Sequence, residues 1–133
     1  MTGTFLASCI LSAALWTGVA IASMSTPSTV KQSDVLQRID MLDIRYQMGL
    51  QKAVLAPNEV KARHMHTGPE VAYVLDGEII ITTDGQPEER IRAGESFQHE
   101  AYAPHITKAG PQGATVLATW VVEKGKSFAV PAP

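Results

Sequence analysis

The sequence has little cysteine and no excess of basic charge. It contains one cysteine, Cys9, among 133 residues, and its 11 Lys and Arg are outnumbered by 13 Asp and Glu, for a formal net charge of −2. A single cysteine excludes a disulfide framework and a multi-cysteine zinc site. Because there is no surplus of cations to neutralise phosphates, nucleic acid is not an expected partner. The length corresponds to one domain, and a hydrophobic fraction of 45% is typical of a folded globular chain.

Charge is also missing from the first thirty residues, which hold no Asp, Glu, Lys or Arg. Apolar and small residues fill Phe5–Met24, and Ala20-Ile21-Ala22 supplies the small-x-small pattern that signal peptidase accepts. We therefore predict that residues 1–22 are a signal peptide cut before Ser23. The protein would then be periplasmic or secreted, with no attachment to a membrane after cleavage. The usual basic n-region is absent, so an uncleaved anchor and a soluble helix are the alternatives.

The rest of the chain consists of short apolar runs separated by turn residues. Asp76-Gly77 is the strongest hairpin signal, because Asp-Gly accepts the positive φ angles of a tight primed turn. Strands that recur about every ten residues, with no convincing helix between them, predict an antiparallel sandwich or barrel. The predicted strands are Met48–Leu55, Arg63–His66, Val71–Leu75, Glu78–Thr82, Ser96–His99, His105–Ala109 and Thr115–Val122.

We assign residues 48–133 to the folded domain and residues 23–47 to an N-terminal lead-in. Within the lead-in, Val35–Leu42 fits either a short helical turn or a first strand, and the sequence does not decide between them.

Three histidines and one glutamate form the pattern that carries chemistry. His64 and His66 are two residues apart in a predicted strand, so both imidazoles project from the same face. Glu70 follows after a Thr-Gly-Pro turn, and His105 comes from a later strand. Imidazole nitrogens and a carboxylate are suitable ligands for a divalent transition metal. An isolated H-x-H pair is more often a satisfied polar pair, so the spacing of the whole set has to decide.

That spacing resembles the two motifs of the cupin family. HMHTGPEVAYVLDG has three residues between His66 and Glu70 and six between Glu70 and Gly77, as in the first motif. Gly94 is followed by ten residues and then His105, as in the second motif. The resemblance extends over Met48–Val122 and is greatest to small single-domain exported cupins of the quercetin-dioxygenase-like group.

The resemblance implies the fold, the ligand set and the assembly. The fold would be an all-β, single-domain cupin β-barrel, also called a double-stranded β-helix or jelly roll. It would hold one divalent transition metal, either Fe, Mn, Ni, Zn or Cu, through His64, His66, Glu70 and His105. Two coordination positions would be left for water or for a small-molecule ligand or substrate. Pairing through a sheet edge, frequent in the family, implies a homodimer.

The sequence departs from the family pattern in the loops around the predicted ligands. Asn58 and Tyr102 stand where the motifs have glycine, and Glu100 stands where proline is usual. Asn tolerates the left-handed conformation, so the first turn can survive. Glu100, His99 and Tyr102 are the candidate catalytic residues, because each could supply a proton-transfer group near the metal. The alternative interpretations are that His99 faces solvent or a partner chain and that Tyr102 packs at the barrel mouth.

Two classes of function fit these features. The first is an enzyme that acts on a small oxygen-containing organic molecule, and the resemblance favours dioxygenase-like chemistry, with a non-redox isomerase or lyase as a variant. The second is a non-catalytic periplasmic protein that captures or senses a small molecule or metal. A proton-transfer group that is not itself a ligand, placed beside the metal, would favour the enzyme.

Overall fold

A computed structural model describes residues 33–133, which form eight β-strands. The predicted signal peptide therefore lies outside the described residues. No helix occurs in residues 33–133, and so none in that range could span a membrane. The strands are β1 (Ser33–Asp40), β2 (Tyr46–Leu55), β3 (Val60–His66), β4 (Glu70–Thr83), β5 (Glu89–Arg92), β6 (Ser96–His99), β7 (His105–Glu123) and β8 (Ala129–Pro131).

Two long strands, β4 and β7, hold the fold together. They pair with each other along most of their length, and every strand pairing in the described chain is antiparallel. At one end of this pair, β4 also pairs with β6, and β7 pairs with β2, which pairs with β1. At the other end, β4 pairs with β5, and β7 pairs with β3, which pairs with β8. One sheet thus curls back on itself around a shared interior. The predicted all-β barrel is confirmed.

The predicted hairpin at Asp76-Gly77 is wrong. Strand β4 runs straight through this dipeptide, with register shifts on either side of it, and the chain turns back only at Asp84-Gly85. Gly77 does adopt the positive φ that the sequence indicates, at 73°. A Cβ there would lie 2.1 Å from the carbonyl oxygen of Gly113 on β7, so glycine is required for two bent strands to stay paired.

Two other predicted strands are also parts of one longer strand that bends. His105–Ala109 and Thr115–Val122 are parts of β7, which passes through Gly110-Pro111 without a break in strand geometry. The segment Val35–Leu42, which fitted two structures, is a strand over most of its length, since β1 pairs with β2 from Ser33 to Asp40.

Alternation of side chains along the strands forms the core. Leu55, Val74, Ile79, Ala109 and Val116 are buried between the layers of the barrel. They come from three strands, β2, β4 and β7, and close the interior behind the histidines. The end of the barrel that opens next to β3 and β8 remains accessible as a cavity.

Candidate metal centre

Strands β3 and β7 bring three histidines together at the wall of this cavity. His64 and His105 are direct partners in the antiparallel register, and His66 follows on the same face of β3. The ring centroids of His64 and His105 are 4.3 Å apart, and His66 is 5.1 Å from His64 and 4.9 Å from His105. The resemblance to the two cupin motifs predicted that these three histidines meet.

Backbone carbonyls orient two of these rings. The Nδ1–H of His64 donates to Ala62 O at 2.8 Å, and that of His105 donates to Ala103 O at 2.9 Å. A carbonyl oxygen only accepts, so both rings carry their proton on Nδ1 and present an Nε2 lone pair. His105 Nε2 is buried and has no hydrogen-bond partner in residues 33–133. An unpaired acceptor of this kind is what a metal ligand requires.

The donor set fits a divalent transition metal. One ring nitrogen from each of His64, His66 and His105 lies within 4.8 Å of the other two. Burial lowers the pKa of all three imidazoles, and it lowers that of His66 to about 2, with further effects of the neighbouring histidines. The rings therefore stay neutral, which is the ligating state. Three neutral imidazoles suit Zn, Cu, Fe or Ni.

Glu70 lies beside this group but is not one of the mutually close donors. Its Oε2 is 3.3 Å from His66 Nδ1, without hydrogen-bond geometry, so that nitrogen is also buried without a partner among the described residues. Burial raises the pKa of Glu70 to about 7, and the positive charge of Lys61 opposes the rise. Glu70 also borders the cavity, and its role as fourth ligand remains a prediction.

His99 faces inward. Its position on β6 is opposite Glu70 in the register, and its ring stacks on that of His105 with centroids 3.8 Å apart. Burial lowers the pKa of His99 to about 3, with smaller contributions from His105 and His64. His99 is not among the three residues whose nitrogens converge and lies beside that group.

The other two candidate catalytic residues lie elsewhere. Glu100 and Tyr102 are exposed, and neither borders the cavity that contains the histidines. The backbone N–H of Tyr102 donates to His66 O at 2.7 Å, which connects the loop between β6 and β7 to β3. Tyr102 has a φ of 62°, and Asn58 has 58°, so both positions where the motifs have glycine keep the left-handed conformation.

The cavity has a volume of about 430 Å³ and walls that are mostly apolar. Among the lining residues not recognised from the sequence, Phe128 and Lys61 contact the site or act on it. Phe128, in the turn before β8, stacks on His66 with ring centroids 4.1 Å apart and on Trp120 at 5.1 Å. Lys61 reaches the cavity because β3 is irregular between Lys61 and His64, whereas strict alternation places these two on opposite faces. No sequence signal marks such a bulge.

Solved structures with a similar fold include those of two enzymes. A DMSP lyase from Ruegeria pomeroyi has a TM-score of 0.58 and 20% identity, covering 63% of this chain and 42% of its own. Oxalate decarboxylase from Bacillus subtilis has a TM-score of 0.58 and 20% identity, covering 71% of this chain and 26% of its own. A further structure of that decarboxylase concerns its Mn(II) centres, with a TM-score of 0.56, 21% identity, and coverage of 68% and 25%.

At these identities the likeness concerns the fold. The chain spans less than half the length of either enzyme. The comparison with curated proteins finds no match. The family model for the cupin domain matches residues 51–122, which include all three converging histidines and Glu70. With the barrel and the site in agreement with that match, the chain belongs to the cupin family.

Proposed function

We propose that the protein is a metal-dependent enzyme that acts on a small oxygen-containing organic molecule, with dioxygenase-like chemistry. The observation that carries this proposal is the convergence of three neutral imidazoles on an apolar cavity that also contains a fourth histidine, His99. A volume of about 430 Å³ lies within the range of small-molecule sites.

The residues divide into those that would hold a metal and those that would act on the substrate. His64, His66 and His105, with Glu70 as the fourth ligand, would hold one divalent transition metal. The bound metal would supply Lewis acidity or, as iron with dioxygen, oxidising power. The cavity wall includes the apolar side chains of Phe128, Ile79 and Val116, which would keep water away from the reacting molecule.

The substrate class follows from the charge near the site. Lys61 is the cation whose charge acts on Glu70 and on the metal-facing histidines, and it lies at the cavity wall. Together with a divalent metal it favours an anionic oxygen, as in a carboxylate or a phenolate. His99, which is not needed as a ligand, is neutral because burial lowers its pKa to about 3, so it could accept a proton from such a molecule but not supply one.

The inward position of His99 also supports a second candidate, a non-redox isomerase or lyase. Such reactions need a base beside a Lewis acid and consume no oxygen. A protein that only captures or senses its ligand does not need this histidine. The inward His99 therefore favours either enzyme over the binding protein.

The test begins with elemental analysis of protein purified without chelator. The protein is then loaded separately with Fe(II), Mn(II), Ni(II), Zn(II) or Cu(II) and screened for oxygen uptake and product formation with phenolic and keto-acid substrates. Oxygen uptake that depends on substrate and metal is the expected result, and His105→Ala serves as the metal-deficient control. Turnover without oxygen uptake would favour the isomerase or lyase. Ligand binding without turnover by any metal form would contradict both enzyme proposals.

A further inference from the structure

The ring of Phe128 lies against one of the three converging histidines. It stacks on the ring of His66, with centroids 4.1 Å apart and planes inclined by 30°. Phe128 directly precedes β8, near the C-terminal end of the chain, whereas His66 is the last residue of β3. We propose that Phe128 is a positioning residue that fixes the orientation of the His66 imidazole before metal binds, an inference that rests on the metal centre of the proposed function.

His66 lacks the support that orients the other two converging histidines. The rings of His64 and His105 are each held by a hydrogen bond from Nδ1 to a backbone carbonyl oxygen. His66 Nδ1 is buried and has no hydrogen-bond partner among the described residues, although Glu70 Oε2 lies 3.3 Å away. A histidine ligand is normally oriented through its second nitrogen. The orientation of His66 must therefore come from another kind of contact.

The stack with Phe128 is the contact best suited to that role. The other rings around His66 belong to His64, His99 and His105, and they meet it at angles of 54° to 83° with centroids 4.9 to 5.6 Å away. Phe128 is closer than any of them and more nearly parallel. A flat ring in this arrangement resists rotation of the imidazole, because turning the imidazole would break the stack.

Hydrogen bonds hold the backbone around Phe128 to the residue that follows His66. The N–H of Thr67 donates to Phe128 O at 2.8 Å, and the hydroxyl of Thr67 donates to Ser127 O at 2.9 Å. The next residue, Ala129, is the partner of His66 in the register of β3 and β8. Protein contacts alone therefore keep Phe128 in place beside His66.

The indole of Trp120 supports Phe128 in turn. The planes of the two rings are inclined by 19°, with centroids 5.1 Å apart. Trp120 is 2% exposed, and its indole N–H donates to Gln51 Oε1 at 3.1 Å. Gly49 is opposite Trp120 in the register of β2 and β7, and a Cβ there would lie 2.3 Å from the indole, so glycine leaves room for this ring. The stack on His66 thus ends on a ring that is itself fixed, as a preorganised site requires.

Preorganisation is the expected benefit of this arrangement. An imidazole that is already oriented loses less freedom when it binds metal, and so it binds more tightly. An aliphatic side chain at position 128 would fill the same space but leave the imidazole freer to turn. The effect should therefore depend on the aromatic ring and not on apolar bulk.

The experiment measures Cu(II) affinity by competition with a chelator, together with the electron paramagnetic resonance (EPR) spectrum of bound Cu(II). Phe128→Leu keeps apolar bulk without the ring and should weaken binding by about 10-fold, with an altered spectrum. Phe128→Tyr keeps the ring and should match the wild type in both measurements. Phe97→Leu is the matched control and should also match the wild type, because the Phe97 ring contacts that of His99, which is not a converging histidine.

A double-mutant cycle separates positioning of His66 from a general loosening of the fold. In a His66→Ala background, Phe128→Leu should weaken Cu(II) binding by less than about twofold, because no imidazole is left to orient. Equal losses in the two backgrounds would overturn the proposal, as would wild-type affinity and spectrum in Phe128→Leu or a comparable loss in Phe128→Tyr. Wild-type protein that binds no Cu(II) would overturn the metal centre as well, and with it the proposed function.

Nuclear magnetic resonance of the metal-free wild-type protein gives a measurement that does not depend on any variant folding. The ring protons of His66 should give one set of signals, shifted upfield by the ring current of Phe128. Signals from two ring orientations, or signals without that shift, would show that Phe128 does not hold the imidazole and would overturn the proposal.

Discussion

His99 lies flat against His105, with the two ring planes inclined by 13° and the centroids 3.8 Å apart. Only His105 belongs to the set of converging nitrogens. The two imidazoles therefore share an environment but have different roles, and they form a natural pair for substitution.

We predict that His105→Ala lowers metal affinity by more than about 100-fold, since it removes a direct ligand, and that His64→Ala and His66→Ala do the same. His99→Ala should leave metal content near the wild-type level while reducing turnover. Elemental analysis and steady-state rates measure the two effects. Comparable metal loss in the His99 and His105 variants would show that both rings are ligands.

Metal removal should destabilise the fold. A metal that binds the native site and not the unfolded chain stabilises the protein by about 2.7 kcal/mol when present at about 100 times its dissociation constant. For a domain of this size that is a rise in Tm of roughly 10–15 °C. Calorimetry before and after chelation, and after adding metal back, checks this. An unchanged Tm in a protein that contains no metal would contradict the prediction.

Metal affinity should depend on pH through Glu70. Its pKa of about 7 means that the metal-free site holds a proton on this carboxyl group below that pH, and metal must displace it. Affinity should therefore fall by up to about tenfold for each pH unit below pH 7. His66 and His99, with pKa values of about 2 and about 3, contribute little to this dependence.

The matched variant for that titration is Glu70→Gln, which keeps the shape and loses the ionisable group. It should bind metal more weakly at neutral pH, with a nearly flat affinity between about pH 7 and pH 6. A wild-type slope in the variant would mean that Glu70 is not the group displaced, and so is not the fourth ligand.

Tyr102 carries backbone strain that glycine would relieve. A non-glycine residue at a φ of 62° costs about 1 kcal/mol, and the exposed side chain offers little packing in return. We expect Tyr102→Gly to raise the free energy of unfolding by up to about 1 kcal/mol and to retain metal. Denaturant unfolding measures the first effect. Tyr102→Phe separates the strain from the hydroxyl group: a loss of turnover in both variants would support the catalytic role predicted from the sequence.

We also propose export of the protein. Cleavage before Ser23 should leave a mature chain that begins Ser-Met-Ser-Thr, because the Ala20-Ile21-Ala22 pattern follows an uncharged apolar run. N-terminal sequencing of protein from fractionated cells tests this. An intact Met1 on protein recovered from the cytoplasm would contradict it.

The sequence predicted those parts of the molecule that depend on local rules. Apolar runs between turn residues located most strands, and strand geometry put His64 and His66 on one face. His105 was assigned to the same site from the resemblance to the second cupin motif. The predicted hairpin at Asp76-Gly77 was wrong because the outcome there depends on long-range pairing and not on a local rule. A positive φ serves a tight turn and a bulge equally well, and only the long-range pairing of β4 with β7 selects the bulge.

The cavity lining shows the same limit. Lys61 enters through an irregularity in β3, and Phe128 arrives with a three-residue strand that exists only because it can pair with β3. Neither the irregularity at Lys61 nor the short strand after Phe128 produces a periodic pattern in the sequence. The inward orientation of His99 depends on which face of β6 points into the barrel interior. The sequence of a strand of only four residues does not show which face that is.

The position of β8 has a practical consequence for work with the protein. The three residues of β8 pair directly with the stretch from His64 to His66, and Arg63 donates to the carbonyl oxygen of Pro133. Residues appended after Pro133 would therefore begin close to the cavity, which Pro131 borders. A polyhistidine purification tag at that end would bring foreign imidazoles next to the site and confuse every measurement of metal content. Affinity tags are better placed elsewhere or removed by a protease before metal is measured.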